Sequence, residues 1–592
     1  MAEILCGKNE VLWNRWYENA QRTPDREAII HWIAGESPFR WTFSALIDAA
    51  EDMGAMLIEH GVRRGDVCAI IMRHNRVQYP LYLAVVCIGA IPAVLGYPNP
   101  RLHPDKFRQG IQGMSRHSGL DWVFTERSLD RTLRPSVERR DSTIKGLHFP
   151  LEWKEGKTLS GERLNHAVDI QKRMSGSDPL LLQHSSGTTG LQKPVLLSHR
   201  AVLNHVKCYG EAIQLNENDK IVSWLPLYHD MGLIAAFHLP LAVGVPSVQI
   251  DPFEWVVVPS LLLEAVSRER GTVSWLPNFA YNMMADKIAD SELDGINLES
   301  WRLVVNCSEP VRHDSHQKFL KRFQPYGLKR SVISACYAMA ETTFAVTQTP
   351  PGTEPAMLAV DRWELSRGNV KLASNKDQAK ACVSSGKVIP GCEVRIVDGN
   401  RRPLREMTIG EIAIRSLSLS DGYRNYPDKT AEVFRDGWYY SGDYGFVDRD
   451  DYYVIGRKKD IIIIAGNNIY PEDVEDVVGK VNGIIPGRVV AFGQDNREIG
   501  SEQLAVIAES GIIDEQGQKK LKMDVIEAGM SIDVSIMRVY LVPPRWLIKS
   551  SAGKPSRKAN KERILCTGKT TEWSSDDNSG IEAGYTERSQ VG

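Results

Sequence analysis

Runs of apolar residues alternate with amphipathic and polar stretches along this chain, and the alternation predicts layered α/β structure. Glu10 to Gln21 has the spacing of an amphipathic helix, and Ala28–Trp32 with Phe39–Thr42 reads as a short hairpin. Thr42 and Ser44 stand just ahead of a helix running to His60, which Gly61 ends. Val67 to Met72 is a charge-free strand. Val77 to Pro100 is also charge-free and long enough to span a bilayer, but Pro80, Pro92, Pro98 and Pro100 interrupt it. A buried helix from about Pro80 to Ile88 and a buried strand from about Ile91 to Leu95 fit it better. Leu147 to Arg173 is polar and irregular, and reads as loop.

The same pattern continues downstream. Pro179–Leu182 and Val195–Leu197 flank a hydroxyl- and glycine-rich turn as the arms of a hairpin, and Arg200 to Ala212 reads as a helix. A strand ending at Pro226 leads to His229–Asp230 on a loop before an apolar helix. Strands at Leu303–Asn306 and Val332–Tyr337 end in the polar segments NCSEPV and YAMAETT. From Val383 to Ile464 the pattern changes to short strands and tight turns, including Val394–Asp398 and Glu411–Ser416. Asp443 sits between Gly442 and Tyr444 in what reads as such a turn, and Arg457–Asp460 reads as a charged turn or an interdomain hinge. A helix at Tyr470–Lys480, a strand at Arg488–Phe492 and a small α/β unit to about Leu565 complete the pattern. Lys554 lies in the loop Leu547–Pro555, and the polar tail from Cys566 reads as disordered. Repeated strand–helix alternation argues for parallel sheets.

Composition narrows the function classes. A chain of 592 residues predicts two to four domains, and 42% hydrophobic with 25% charged residues is a globular profile. With 72 basic against 74 acidic residues, there is no electrostatic case for nucleic acid or an anionic membrane. Nine scattered cysteines without a CxxC pair indicate neither zinc nor a disulfide framework, so a reduced, cytoplasmic setting is expected. The first ten residues, MAEILCGKNE, lack an apolar signal core.

The candidate chemistry starts at HSSGTTGLQKP. Ser185, Ser186, Thr188 and Thr189 alternate with Gly187 and Gly190, and Lys193 follows. Backbone N–H groups freed by glycine, hydroxyl donors and one cation together suit a phosphate; a solvated turn has the same composition. The stretch is not a Walker A loop, since the glycine spacing and the residue after the lysine both differ. His229–Asp230 is a polar pair in an apolar stretch, costly to bury unless partnered. Glu341 follows a strand terminus, where ligands of open α/β sheets collect.

SSGTTGLQKP, LPLYHDMGLI, YAMAETT, YYSGDYG, GRKKDIIIIAGNNIYPEDVE and SSAGKPSRK occur here in the order found in the adenylate-forming acyl ligases. The chain resembles that superfamily, which includes acyl-CoA synthetases, luciferases and fatty acyl-AMP ligases, up to Leu565. The resemblance implies an α/β fold with a large N-terminal region, residues 1–456, made of two layered α/β subdomains and a β-barrel-like part. It implies a hinge at 457–460 pivoting on Lys459, a small mobile α+β C-terminal domain at 461–565, and a tail at 566–592. It further implies ATP and Mg²⁺ as cofactors. Ser185, Ser186, Gly187, Thr188, Thr189, Gly190 and Lys193 would hold the β- and γ-phosphates; Tyr337 would stack on adenine. Glu341 would bind Mg²⁺, with Thr342 beside it. Asp443 would accept the ribose hydroxyls with Arg457 assisting, and His229 would close the acyl pocket. Lys554 would reach both the carboxylate and the α-phosphate.

The sequence departs from the family where Ala338 and Ala340 replace glycine and threonine, and where Cys307–Ser308 replaces a small pair; no charged participant is lost. Between Glu341 and Glu411 the chain is longer than in typical CoA ligases, and the extra block, LAVDRWELSRGNVKLASNKDQAKACVSSGKVIPGCEVRIVD, is similar to the insertion of fatty acyl-AMP ligases. That similarity implies transfer of the acyl group to the phosphopantetheine thiol of a carrier protein rather than to CoA. CoA as acceptor, and a catalytically silent nucleotide- or lipid-binding homologue, are the alternatives.

Overall fold

The computed structural model describes residues 10–98, 104–153, 170–184, 193–375, 378–464, 467–496, 501–549 and 555–567. Ser185–Gly190, Lys554 and residues from Gly568 on, which hold most of the expected disordered tail, lie outside these. The chain divides into two compact units, with the division after Asp473.

The first unit is built on a nine-stranded sheet. Six neighbouring strands run parallel: Ile333–Ala338, Leu303–Asn306, Val273–Leu276, Ile221–Ser223, Ser247–Ile250 and Glu27–Trp32. Antiparallel strands close both edges, Phe39–Thr42 at one and Ala345–Gln348 with Lys387–Val388 at the other. Continuous apolar runs such as Leu-Val-Val at 303–305 suit a strand buried on both faces. A second, four-stranded parallel sheet is ordered Ile91–Val94, Val67–Ile71, Trp122–Thr125, Gly146–His148. The last of these strands corrects the start of the Leu147–Arg173 stretch expected as loop, of which residues 154–169 lie outside the described residues. Three residues are too short to show a period, and only pairing to Trp122–Phe124 makes them a strand.

Helix Phe43–Glu59 starts where expected, because the Thr42 side chain accepts a hydrogen bond from the Ala45 N–H at 3.2 Å; such a cap is worth roughly 1 kcal/mol. The charge-free run resolves into a helix, Gln78–Cys87, and the strand Ile91–Val94. Every residue of that helix is buried, so its apolar surface faces protein on all sides. No helix among the described residues is long and apolar enough to cross a membrane.

Two boundaries differ from expectation. The strand before His229 stops at Ser223 rather than Pro226, because the Ser223 hydroxyl takes the Leu225 N–H and turns the chain out of the sheet. Asp443 lies inside a strand, Trp438–Asp448, not in a turn. Gly442 has φ of +70° and sits where the pairing with Gly410–Ser416 shifts register, so the glycine marks a bulge within a continuing strand. The β-rich part is a five-stranded sheet that also contains Cys392–Val397, Asp451–Arg457 and Phe434–Arg435.

The block between Glu341 and Glu411 folds as an antiparallel pair, Met357–Asp361 with Ala379–Val383, and a short helix, Arg362–Ser366. Val360, Leu365 and Cys382 share a core with Phe446, Tyr453, Ile455 and Tyr470. Lys380 Nζ pairs with Asp473 Oδ2 at 2.5 Å, and Arg312 donates to the Glu472 carbonyl at 2.9 Å. Burial pushes the Asp473 carboxyl up, but Lys380 and Arg312 outweigh it and hold the group below the usual carboxylate range.

The second unit carries a three-stranded sheet. Ile484–Asn496 pairs antiparallel with Ser501–Ser510, which pairs parallel with Ile536–Val542. Helix Glu515–Met530 is capped by Asp514, and helix Arg557–Thr567 runs two residues beyond the expected end of the unit, so Cys566 and Thr567 are helical rather than part of a disordered tail. The described residues on either side of 550–554 are held together. The Asn560 side chain, fully buried, accepts from the Ile548 N–H and donates to the Ile548 and Ser556 carbonyls, each at 2.8 Å.

Candidate functional site

Consecutive parallel strands of the large sheet end on one side, and the chain leaves Leu303–Asn306 and Ile333–Ala338 in polar segments. After Leu303–Asn306 comes Ser308, with φ of +68°; after Ile333–Ala338 comes Thr343, with φ of +70° and ψ of −55°. Non-glycine residues in such conformations are strained and persist where surrounding structure over-determines them, a pattern concentrated at functional sites. Beneath the Ser308 loop lies a buried polar network. Asn306 Nδ2 donates to Asn278 Oδ1 at 3.0 Å and to His316 Nε2 at 2.9 Å, and the Arg312 N–H donates to Asn278 Oδ1 at 3.1 Å. Burial lowers the His316 pKa to about 4, so its ring is the neutral acceptor this network needs.

Glu341 sits on the short turn Ala340–Thr342 directly after the Ile333–Ala338 strand, with 8% of its surface exposed. Tyr423 donates its hydroxyl to Glu341 Oε1 at 2.7 Å, and Lys193 Nζ donates to the same hydroxyl at 3.2 Å. The Lys193 ammonium also lies 4.5 Å from the centre of the Tyr423 ring. Desolvation lowers the Lys193 pKa, while the Glu341 charge opposes that shift. Thr342 is fully buried and its hydroxyl donates within its own turn, to the Met339 and Phe344 carbonyls.

The second half of the site is built across two strands. Asp443 and Arg457 are cross-strand partners in the Trp438–Asp448 and Asp451–Arg457 pair, and Arg457 Nε reaches Asp443 Oδ1 at 3.1 Å. Tyr337 donates its hydroxyl to Asp443 Oδ2 at 2.6 Å. Burial pushes the Asp443 carboxyl up; Arg457 and Tyr337 pull it the other way, and Glu341 adds to the rise. The Asp443 charge in turn drives the Arg457 pKa further up, and Arg457 helps to depress that of Lys193. Glu341, Lys193, Asp443, Arg457 and Tyr337 therefore act on one another as one cluster, although the chain separates them widely. Lys459 is exposed on the turn Lys458–Asp460, immediately after Arg457.

His229 follows the Pro226 turn, its N–H bonded to the Pro226 carbonyl at 3.1 Å, and Asp230 caps the buried helix Met231–His238 by accepting from the Met231 N–H. That helix has π geometry, which recurs at functional sites. Gln183, in the strand that leads to the hydroxyl-rich loop, donates to the Tyr228 carbonyl at 2.9 Å and so links that strand to the His229 turn. Next to this turn the strand ends are apolar. Trp224 and Trp255 stack with centroids 3.6 Å apart, Phe279 packs edge-on against both, and Ser308 Oγ lies 3.8 Å from Met231 Sδ.

Tyr423 was not legible as a site residue. Its backbone is held beside the Pro194–Ser198 strand, with Leu196 N–H donating to the Gly422 carbonyl and Arg424 N–H to the Pro194 carbonyl. Gly422 has φ of +96°, and a Cβ there would lie 2.3 Å from Thr430 Cγ2, so only glycine fits before the tyrosine. The Asp421–Gly422 pair signals a turn, but no local spacing relates it to Glu341.

Comparison with known proteins gives the family. The family model for AMP-binding enzyme matches residues 16–424. The "Probable long-chain-fatty-acid--AMP ligase FadD30" of Mycobacterium tuberculosis is 29% identical over 580 residues, covering 92% of this chain and 96% of the relative. The "Medium-chain-fatty-acid--[acyl-carrier-protein] ligase JamA" of Moorena producens is 28% identical over 513 residues, with 83% of each chain covered. A solved structure from work on fatty acyl-adenylate ligases of E. coli and L. pneumophila superposes with a TM-score of 0.85 at 23% identity, covering 94% of this chain and 98% of that one. The family match extends over more than half of the chain, and the chain belongs to the AMP-binding enzyme family.

Proposed function

We propose that the protein activates a fatty acid with ATP, forming an acyl-adenylate and pyrophosphate, and then transfers the acyl group to the phosphopantetheine thiol of a carrier protein. The observation that carries this reading is the pair of carboxylates in one electrostatic cluster. Glu341 stands with Lys193, and Asp443 stands with Arg457 and Tyr337. Names of relatives in the same family, a fatty-acid–AMP ligase and a fatty-acid–carrier-protein ligase, support the same substrate and acceptor.

In the first step a carboxylate oxygen of the acid attacks the α-phosphorus, and the bond from that phosphorus to the bridging oxygen of pyrophosphate breaks. Asp443 offers oxygens to the ribose hydroxyls, held in place by Arg457 and by the Tyr337 hydroxyl. The Tyr337 ring, half-buried at the strand end, offers a face to adenine. Lys193 supplies positive charge toward the β- and γ-phosphates, together with the loop Ser185–Gly190. Glu341 fits Mg²⁺, since a carboxylate oxygen is a ligand of the hard type this ion takes. The ion would supply charge neutralisation on the phosphates. The aromatic and Met231 side chains beside His229 suit an apolar acyl chain. In the second step the thiol sulfur attacks the acyl carbonyl, AMP leaves with the mixed-anhydride oxygen, and the thiol proton goes to solvent.

Residues 457–460 as a hinge and 461–565 as a moving lid belong to this proposal. So does the role of the inserted block. Through Lys380 and its shared core it ties residues 470–473, just before the division between the units, to the large unit. Tethering of that segment favours a carrier-delivered thiol over free CoA.

The test is a panel of fatty acids incubated with ATP and Mg²⁺, with acyl-adenylate and pyrophosphate measured directly. Formation of both in equal amounts with medium- or long-chain acids is expected. Release of pyrophosphate without adenylate, or no dependence on the acid, would overturn the reading.

A further inference from the structure

Tyr423 stands between a cation and an anion. Its hydroxyl donates to Glu341 Oε1 at 2.7 Å and accepts from Lys193 Nζ at 3.2 Å, and its ring lies beneath that ammonium at 4.5 Å. The residue is buried, 4% exposed, and its phenol is the donor in the bond to the carboxylate. Its placement does not depend on the hydroxyl. The Val195–Tyr423 bridge and the bonds from Leu196 and Arg424 hold the backbone, and Phe434 packs against the ring at 6.1 Å.

Lys193 and Glu341 carry opposite charges in a partly buried crevice and attract one another. A direct ion pair between them would satisfy both and withdraw both from ligands, because the pair would have to be broken and resolvated before either could bind a phosphate or a cation. We propose that Tyr423 is a positioning residue that keeps these two charges apart and holds the Glu341 carboxylate so that one oxygen is engaged and the other is presented to Mg²⁺. The phenol gives Glu341 one fixed hydrogen bond and gives Lys193 an acceptor without charge. Neither partner is neutralised. The inference rests on reading Glu341 as the metal-binding carboxylate and Lys193 as a phosphate ligand.

The experiment is Tyr423→Phe, which keeps the ring and its packing and removes only the hydroxyl. Binding of a non-hydrolysable ATP analogue is measured by calorimetry on the full chain, with and without Mg²⁺. A hydrogen bond to a charged group corresponds to roughly ten- to a hundredfold in an equilibrium constant. The gain in analogue affinity that Mg²⁺ confers is expected to shrink by about tenfold. In turnover the apparent Mg²⁺ activation constant should rise by a similar factor, with the KM for the fatty acid and the melting temperature unchanged. An unchanged Mg²⁺ gain overturns the proposal. So does a loss spread equally over the acid KM and the melting temperature, which would mark the hydroxyl as merely structural. Glu341→Gln separates the two levels: if it leaves the Mg²⁺ gain intact, the reading of Glu341 itself fails, whatever Tyr423→Phe does.

Discussion

Lys554→Ala is expected to abolish adenylate formation, by at least about 10³-fold, while leaving ATP binding near the unmodified value. The reaction brings a carboxylate toward a triphosphate, two anions that repel, and negative charge gathers on the oxygens around phosphorus as they meet. A cation touching both reactants stabilises that arrangement more than either reactant alone, so its loss falls on the rate rather than on nucleotide affinity. Removing a single preorganised donor of this kind costs roughly 10²–10³-fold, and a full charge placed between two anions costs more. The resemblance assigns this role to Lys554. The structure adds a reason why the variant should fold. Asn560 and the Ser556 N–H bond to the Ile548 carbonyl join the described residues on either side of 550–554. Pyrophosphate exchange and analogue binding measured side by side check the expectation. Full pyrophosphate release from the alanine variant would remove Lys554 from the mechanism.

Glu341→Gln should lower kcat/KM by roughly 10²–10³-fold and raise the Mg²⁺ requirement. The substitution keeps the shape of the side chain and exchanges a carboxylate oxygen for an amide, so packing on the short turn after Ile333–Ala338 is preserved. Tyr423 retains an acceptor in the amide oxygen. What disappears is the negative charge that a divalent cation needs and that balances Lys193. The loss should therefore be partly recovered at high Mg²⁺, whereas a folding defect would not be. A variant with unaltered Mg²⁺ dependence would show that the cation is held elsewhere.

Much of the scaffold could be read from local pattern. Leu303–Asn306 is a strand over the expected residues, Thr42 caps its helix, and the charge-free run after Val77 divides into a helix and a strand near its internal prolines and glycine. These features are decided by neighbours in sequence. The differences arise where distant chain decides. Gly442 beside Asp443 has the composition of a turn, yet pairing on both sides keeps Trp438–Asp448 a strand and converts the glycine into a bulge. That pairing is also what sets Arg457 opposite Asp443. Glu341 was identifiable from its strand terminus, but its contact with Tyr423 bridges a separation of 82 residues and has no sequence period. Lys380 with Asp473 is of the same kind. Charge type and strand ends are local properties, and the cross-links that turn them into a site are not.

The same adenylate can be consumed by two thiols, and the acceptor decides the product. The direct measurement supplies the protein with a fatty acid, ATP and Mg²⁺, then offers free CoA and a phosphopantetheine-bearing carrier protein at equal concentration, and quantifies both thioesters by mass spectrometry. Acyl-carrier is the expected product, with acyl-CoA at background. Acyl-CoA formed as readily as acyl-carrier would contradict that expectation.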